Sequence, residues 1–335
     1  MNPRIIDASR SANLIIRRLL AVQPGEQVAI VCDPHTEMSM AYALAGVVES
    51  VGAEYTLMIM PTRRTERKNH LTPVIEQGLR AADCLIGLTG ASGAPTYSSA
   101  VKALFNQKKL RAISMVMRDM DNFTSGGALA DYERLYEEGK QLAAVWEKAA
   151  HIQVTSSAGT DIRAPVAGEK VIIECGFATE PGLEAAFSDG EVSQMPRVNT
   201  AEGLIVVDGP IAHIGRPASP ITLRVERGRV VSVQGGSRQA LELRRIVETV
   251  SDAANIAEIG IGLNPMSRRN GDFEEEKKAR GNVHIALGDN VFYGGDVHSP
   301  VHMDMVIYNP TVLLDERKVV DRGQVRLENA PEAED

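Results

Sequence analysis

Over the first third of the chain, short apolar runs alternate with amphipathic stretches of helical length. Gln27–Cys32 (QVAIVC), residues 55–60 (YTLMIM), 83–88 and 112–117 have the length and continuous apolarity of strands buried on both faces. Between them, residues 37–51, 72–81 and 97–106 predict helices. Another helix opens near Asp7-Ala-Ser-Arg, carries Ile15, Ile16, Leu19 and Leu20 at helical spacing, and stops at Pro24-Gly25. Repeated strand–helix–strand units imply parallel pairing through right-handed crossovers. Residues 1–125 therefore read as a doubly wound, Rossmann-like α/β scaffold domain. A long helix over 128–149, with Leu135, Leu142 and Trp146 along one side, predicts a connector spanning 126–150. From His151 the texture changes to short β segments divided by Gly, Pro and Asp, interrupted by one helix at 237–250. Residues 151–335 predict a second, β-rich α+β domain.

The far end of that domain carries the candidate chemistry. In GNVHIALG (281–288), Val283, Ile285 and Leu287 fall on one strand face, and His284 and Ala286 on the other. In SPVHMDM (299–305), Val301, Met303 and Met305 fall on one face, and His302 and Asp304 on the other. Upstream, AEIGIGLNP places Glu258, Gly260 and Gly262 on a common face opposite its isoleucines. Two imidazoles and two carboxylates on the polar faces of three strands, with glycines beside them, suit a divalent transition metal. Each residue taken alone reads as a polar group on a solvated strand. His298, in the loop before Ser299-Pro300, reads as a lid or supporting residue. Glu191, in SDGEVSQMP, reads by itself as a surface residue.

Composition narrows the function classes. The 335 residues are 44% hydrophobic and 24% charged, as expected of a globular protein. A net charge of −8 and 4% aromatics argue against nucleic acid or an anionic membrane as partner. No apolar run reaches the roughly 18 residues of a membrane helix, and the charged N-terminal helix does not read as a secretion signal. The three dispersed cysteines, Cys32, Cys84 and Cys175, form no disulfide framework and fit a reducing cytoplasm. After the first strand there is no GxGxxG, and the Gly-rich TGASGAP after the third (89–95) is a weak phosphate-loop match. The first domain is therefore expected to be a scaffold and a homodimer contact. The Arg63-Arg64…Arg67-Lys68 run with His70 reads as a solvated loop, or as one reaching an anionic substrate. The tail from Glu328 is acidic and expected to fray.

At AEIGIGLNP, GNVHIALGDN and SPVHMD the sequence resembles the metal-dependent aminopeptidase T/aminopeptidase S family. That resemblance implies a dinuclear site held by Glu191, Glu258, His284, His302 and Asp304. The family's tyrosine ligand corresponds to Val291 here, with Tyr293 close by, and the 284–302 segment is shorter. Along nearly the whole chain the sequence is similar to a second branch of the same superfamily, the 2,5-dihydroxypyridine 5,6-dioxygenases. SSAGTDIRAP, ECGFATEPG, NTAEGLIVVDG, IGIGLNP and SPVHMD carry that similarity. It implies a single non-haem Fe(II) held by two His and one Asp. His302 and Asp304 match two of these, Glu258 stands at the other histidine, and Arg163 stands where that branch has a polar His.

Two reactions follow from this ligand set. The reading placed first is a hydrolase, aminopeptidase-like, in which one or two Zn, Mn or Co ions activate a water against an amide of a small substrate or peptide N-terminus. Glu258 or Asp304 would bridge, and Glu191 would be a ligand or the general base. The second is an Fe(II) ring-cleaving dioxygenase acting on a dihydroxypyridine-like N-heterocycle, with His284, His302 and Asp304 as the open face. A pure binding module has no need of such clustering.

Overall fold

A computed structural model describes residues 3–63, 69–117 and 119–327. Arg64–Lys68 of the basic run and the acidic tail from Glu328 lie outside the described residues. The chain divides into two compact units, one of residues 1–130 with 175–189, the other of 131–174 with 190–335.

The first unit is built on a parallel sheet whose strands run, across the sheet, Glu54–Ile59, Gln27–Cys32, Cys84–Thr89, Arg111–Val116 and Glu184–Ala186. The first four are those expected from the apolar runs. The α/β class with a parallel first sheet holds. On one side of this sheet Ala29, Val31, Leu85 and Ala112 pack with Ile75, Leu79, Val101 and Leu104 from the intervening helices. Helix Met38–Val51 is stopped by Gly52 in a left-handed conformation (φ +86°), which any larger residue would strain. The N-terminal helix begins earlier than expected, at Pro3, and its last turn, Ile15–Leu19, widens to a π-helix. The fifth strand was not expected. Glu-Ala-Ala has no strand propensity, and its place is fixed by pairing with residues more than 70 positions earlier.

The Gly-rich loop after the third strand has an internal partner. The backbone N–H groups of Gly90, Ala91 and Ser92 donate to the Asp33 carboxylate at 3.1, 3.0 and 2.7 Å, and His35 N–H adds a fourth bond at 3.0 Å. The nest that could have cradled a phosphate holds a buried carboxylate of the same chain. Gly90 is required here, because a Cβ would lie 2.3 Å from the His35 carbonyl oxygen. Burial opposes ionisation of Asp33, but the Ser92, Ala91 and Gly90 donors outweigh it and hold the carboxyl below its ordinary value.

The second unit is a sandwich of two antiparallel sheets. The eight-stranded sheet includes His151–Thr155, Asp161–Pro165, Glu202–Val207, Ile221–Glu226 and Arg229–Gln234, which fall among the short β segments expected after His151. The five-stranded sheet runs His302–Ile307, Val283–Gly288, Ile256–Gly262, Glu191–Gln194, Val171–Glu174. One core lies between them, filled by Ile152, Val154, Ile205 and Leu223 from the first and Ile259, Ile285, Leu287, Met303 and Met305 from the second. Helix Tyr132–Trp146, capped by Asp131, covers this core with Leu142 and Trp146. No helix among the described residues is long and apolar enough to cross a membrane.

Asp33→Asn should cost the first unit about 2–3 kcal/mol, the value of charge-assisted backbone hydrogen bonds. Because folding lowers the Asp33 pKa, its contribution is complete above the ordinary aspartate range, about 4, and fades as pH falls through the lower folded-state value. Hydrogen exchange of the Gln27–Cys32 and Cys84–Thr89 amides would show this as lost protection in the variant and in the acidified wild type. Equal protection in both proteins at neutral pH would contradict it.

Candidate metal centre

The face of the five-stranded sheet turned away from the core carries the polar cluster. Pairing register explains why its members converge. His302 lies opposite Gly288, Asp304 opposite Ala286, and Ala286 opposite Glu258. His284 lies opposite Gly260, and Glu191 opposite Gly262. Each large polar residue thus has a small neighbour on the next strand, and the side chains lean over those gaps towards one another. The gap over Gly260 is filled by an imidazole: a Cβ there would sit 2.2 Å from His284 Cε1. The gap over Gly262 is filled by backbone, since a Cβ there would meet the Ala279 and Lys277 carbonyl oxygens at 2.4 and 2.8 Å.

Glu258 is the centre of the cluster. Its Oε1 lies 2.9 Å from His284 Nε2 and its Oε2 lies 2.9 Å from His302 Nε2. Glu191 Oε2 is 3.6 Å from His284 Nε2, and Asp304 Oδ1 is 3.2 Å from His302 Nε2. Two triads result, Glu191–Glu258–His284 and Glu258–His302–Asp304, each with donor atoms within 4.8 Å of one another. Around an ion with bonds of about 2.1 Å, adjacent octahedral donors sit about 3.0 Å apart, close to most of these separations. The nitrogen–carboxylate donor set and its spacing fit a divalent metal.

The triads differ in access and support. Glu191, Glu258 and His284 are sealed from solvent, whereas the His302 side chain is 35% exposed. His302 Nδ1 lies 2.8 Å from the Asp289 carbonyl oxygen and donates to it, which turns Nε2 to the cluster. The Tyr293 ring stacks on His302 at 6.4 Å between centroids, and its hydroxyl is 3.0 Å from Ser193 Oγ. His284 Nδ1, also buried, has no hydrogen-bond partner among the described residues.

Two lysines missed by the sequence reading complete the cluster. Lys278 Nζ is 2.7 Å from Glu191 Oε1, and Lys277 Nζ is 3.2 Å from Asp304 Oδ2 and 3.7 Å from Glu191 Oε1. FEEEKKARG reads as a solvated charge run, and only Gly281 (φ +81°) hints that this segment turns tightly against the sheet. The segment is held by Asn264 N–H to the Lys278 carbonyl, Arg280 N–H to the Asn264 carbonyl and Gly281 N–H to the Gly262 carbonyl, each 2.9 Å. Burial opposes ionisation of Glu191 and Asp304; Lys277, with Lys278 or His302, overcomes it and keeps both ionised. The same carboxylates, against burial, raise the pKa values of His284 and His302.

The other expected site residues lie elsewhere. Arg163 is exposed on Asp161–Pro165 in the eight-stranded sheet, whereas every member of the two triads comes from the five-stranded one. His298 is exposed in the loop before His302. Val291 begins the short 3-10 turn that ends in Tyr293, so Tyr293 and not Val291 is the residue stacked against His302.

The fold and this donor set define a class, an α/β protein whose β-sandwich carries a His–carboxylate cluster that fits a divalent metal. The chain belongs to the 2,5-dihydroxypyridine 5,6-dioxygenase family, whose pattern matches residues 16–327. It is 30% identical over 195 residues to 2,5-dihydroxypyridine 5,6-dioxygenase of Pseudomonas putida. That match covers 53% of this chain and 55% of the relative, so the chain spans about half the length of the curated relative it matches. The structure of 2,5-dihydroxypyridine dioxygenase from Pseudomonas putida KT2440 is similar over 98% of both chains, with TM-score 0.80 and 21% identity. AmpT from Thermus thermophilus is similar over 96% of this chain and 99% of its own, with TM-score 0.70 and 18% identity. Both share the fold; the resemblance to the dioxygenase branch holds as family membership, and the likeness to AmpT is one of fold.

Gly260→Ala should destabilise the second unit by about 1–3 kcal/mol through overpacking against the His284 ring. In a His284→Ala background the same change should cost much less, because the atoms it strikes are gone. Thermal melts of the four proteins measure this coupling; strictly additive effects would place the His284 ring elsewhere.

Proposed function

We propose that this protein is a metal-dependent dioxygenase that opens the ring of a dihydroxypyridine-like N-heterocycle, with Glu258, His302 and Asp304 as ligands to Fe(II). Membership of the dioxygenase family over residues 16–327 carries this reading, and the solvent-reaching triad supports it. Hydrolysis, placed first from the sequence, gives way to the dioxygenase alternative, with Glu258 in the place that the sequence reading of that alternative gave to His284. Fe(II) held by Glu258, His302 and Asp304 would supply the redox chemistry for dioxygen insertion into the ring.

The chain's own residues bind and orient. Asp289 and Tyr293 fix the His302 ring from its edge and its face. Ser193 holds the Tyr293 hydroxyl, whose pKa burial and the nearby carboxylates raise well above its ordinary value, so it stays neutral. Lys277, 15% exposed, brings a positive charge to the same side of the cluster as His302 and favours an ionised ring hydroxyl there. Glu258 differs from the histidine of the resembling branch; an anionic third ligand stabilises the ferric over the ferrous state more than imidazole does. A hydrolytic second reading retains one observation, the pair of triads sharing Glu258.

Protein stripped of metal and reloaded anaerobically with Fe(II) should consume oxygen when given 2,5-dihydroxypyridine. Zn(II)- or Mn(II)-loaded protein should not. Amide cleavage with Zn(II) or Mn(II) and no oxygen uptake with Fe(II) would reverse the assignment. His302→Ala and Asp304→Ala should each lose the ion during dialysis, read by elemental analysis; full occupancy in both would remove them from the ligand set.

A further inference from the structure

The two triads are not equivalent, and the difference has a consequence for metal stoichiometry. Glu191–Glu258–His284 is fully buried, and its outer carboxylate is already in contact with the buried Lys278 ammonium at 2.7 Å. Lys278 is not a flexible surface lysine that a cation could displace. Its backbone is bonded to Asn264, and the segment carrying it crosses directly over Gly262, the residue opposite Glu191. Its side chain is 3% exposed, so releasing it from Glu191 would strand a buried charge. His284 also lacks what His302 has. Among the described residues no acceptor lies at its Nδ1, whereas metal-binding imidazoles almost always have one there.

We infer that Lys278 is a built-in counter-ion that closes the Glu191–Glu258–His284 triad to metal, so that the chain binds one divalent ion, at Glu258–His302–Asp304. Lys278 supplies within the chain the positive charge that a second ion would bring, and repels that ion at short range in a dry site. Lys277 plays a different part. It takes Asp304 Oδ2 and leaves Oδ1 directed towards His302 Nε2, so the donor atoms of the outer triad face one another and none of them faces a lysine. Glu258 then serves as ligand through Oε2 while its Oε1 holds His284. The inference rests on the reading of the cluster as a metal site and is independent of the reaction performed there.

Calorimetric titration of the stripped full-length protein with Mn(II), with electron paramagnetic resonance of the loaded samples, tests it. Wild type should bind one Mn(II) per chain and give an uncoupled signal even with excess ion. Lys278→Met should bind a second Mn(II) at least about 100-fold more tightly than wild type does, with an exchange-coupled signal, and Lys278→Arg should stay at one. If Lys278→Met alone does not fold, the neutral pair Glu191→Gln with Lys278→Met removes both charges together and should keep one ion at wild-type affinity. Two ions in wild type, one in a folded Lys278→Met, or loss of the ion in the neutral pair would each overturn the inference. Wild type that binds no Mn(II) or Fe(II) would instead overturn the metal-site reading beneath it.

Discussion

The Glu258 carboxylate, held between two imidazoles inside a β-sandwich, is the constraint to which the surrounding structure answers. A buried carboxylate with no partners is costly enough to unfold a domain or to take up a proton. Here Ala286 and Gly260 leave room for Asp304 and His284 to approach it, and Gly288 does the same for His302. None of these small residues touches a ligand by chemistry; they matter by what they omit. The opposite faces of the same strands carry isoleucine, leucine and methionine into one core, so register cannot slip by one residue without turning the ligands inward.

Charge balance follows from that geometry. Three carboxylates in a small volume require cations, and the chain provides two of its own, Lys277 and Lys278. Their placement divides the cluster into a sealed half, already neutralised, and a half that opens at His302 and retains donors. Dioxygen chemistry needs an ion with positions left free for substrate, and the outer half is the one that reaches solvent, at His302.

Much of the architecture was legible because it is local. Continuous apolar runs marked four parallel strands, and period-two alternation at His284 and at His302–Asp304 gave both the strand and the face. Glycine spacing beside Glu258 pointed to a crowded polar face, although Gly260 and Gly262 make room for a ring and a backbone, not for a ligand. The rest depends on distant pairing. Glu184–Ala186 joins the parallel sheet with no strand propensity of its own. Glu191 reads alone as a surface residue, yet the strand it starts is buried between two others. Asp33 and TGASGAP each looked separable, and only the fold shows the carboxylate occupying the loop's amides. Lys277 and Lys278 sit in a charge run of a kind normally solvated, and no periodicity marks the pair as buried. The reaction was the least legible feature, since the ligand types suit both hydrolysis and oxygen chemistry.

The most direct test of this account is anomalous diffraction at the iron edge from crystals loaded anaerobically with Fe(II). The account predicts one peak per chain, within bonding distance of Glu258 Oε2, His302 Nε2 and Asp304 Oδ1, with Lys278 still on Glu191. A peak bonded to Glu191 and His284, or iron bound away from this sheet, would contradict it.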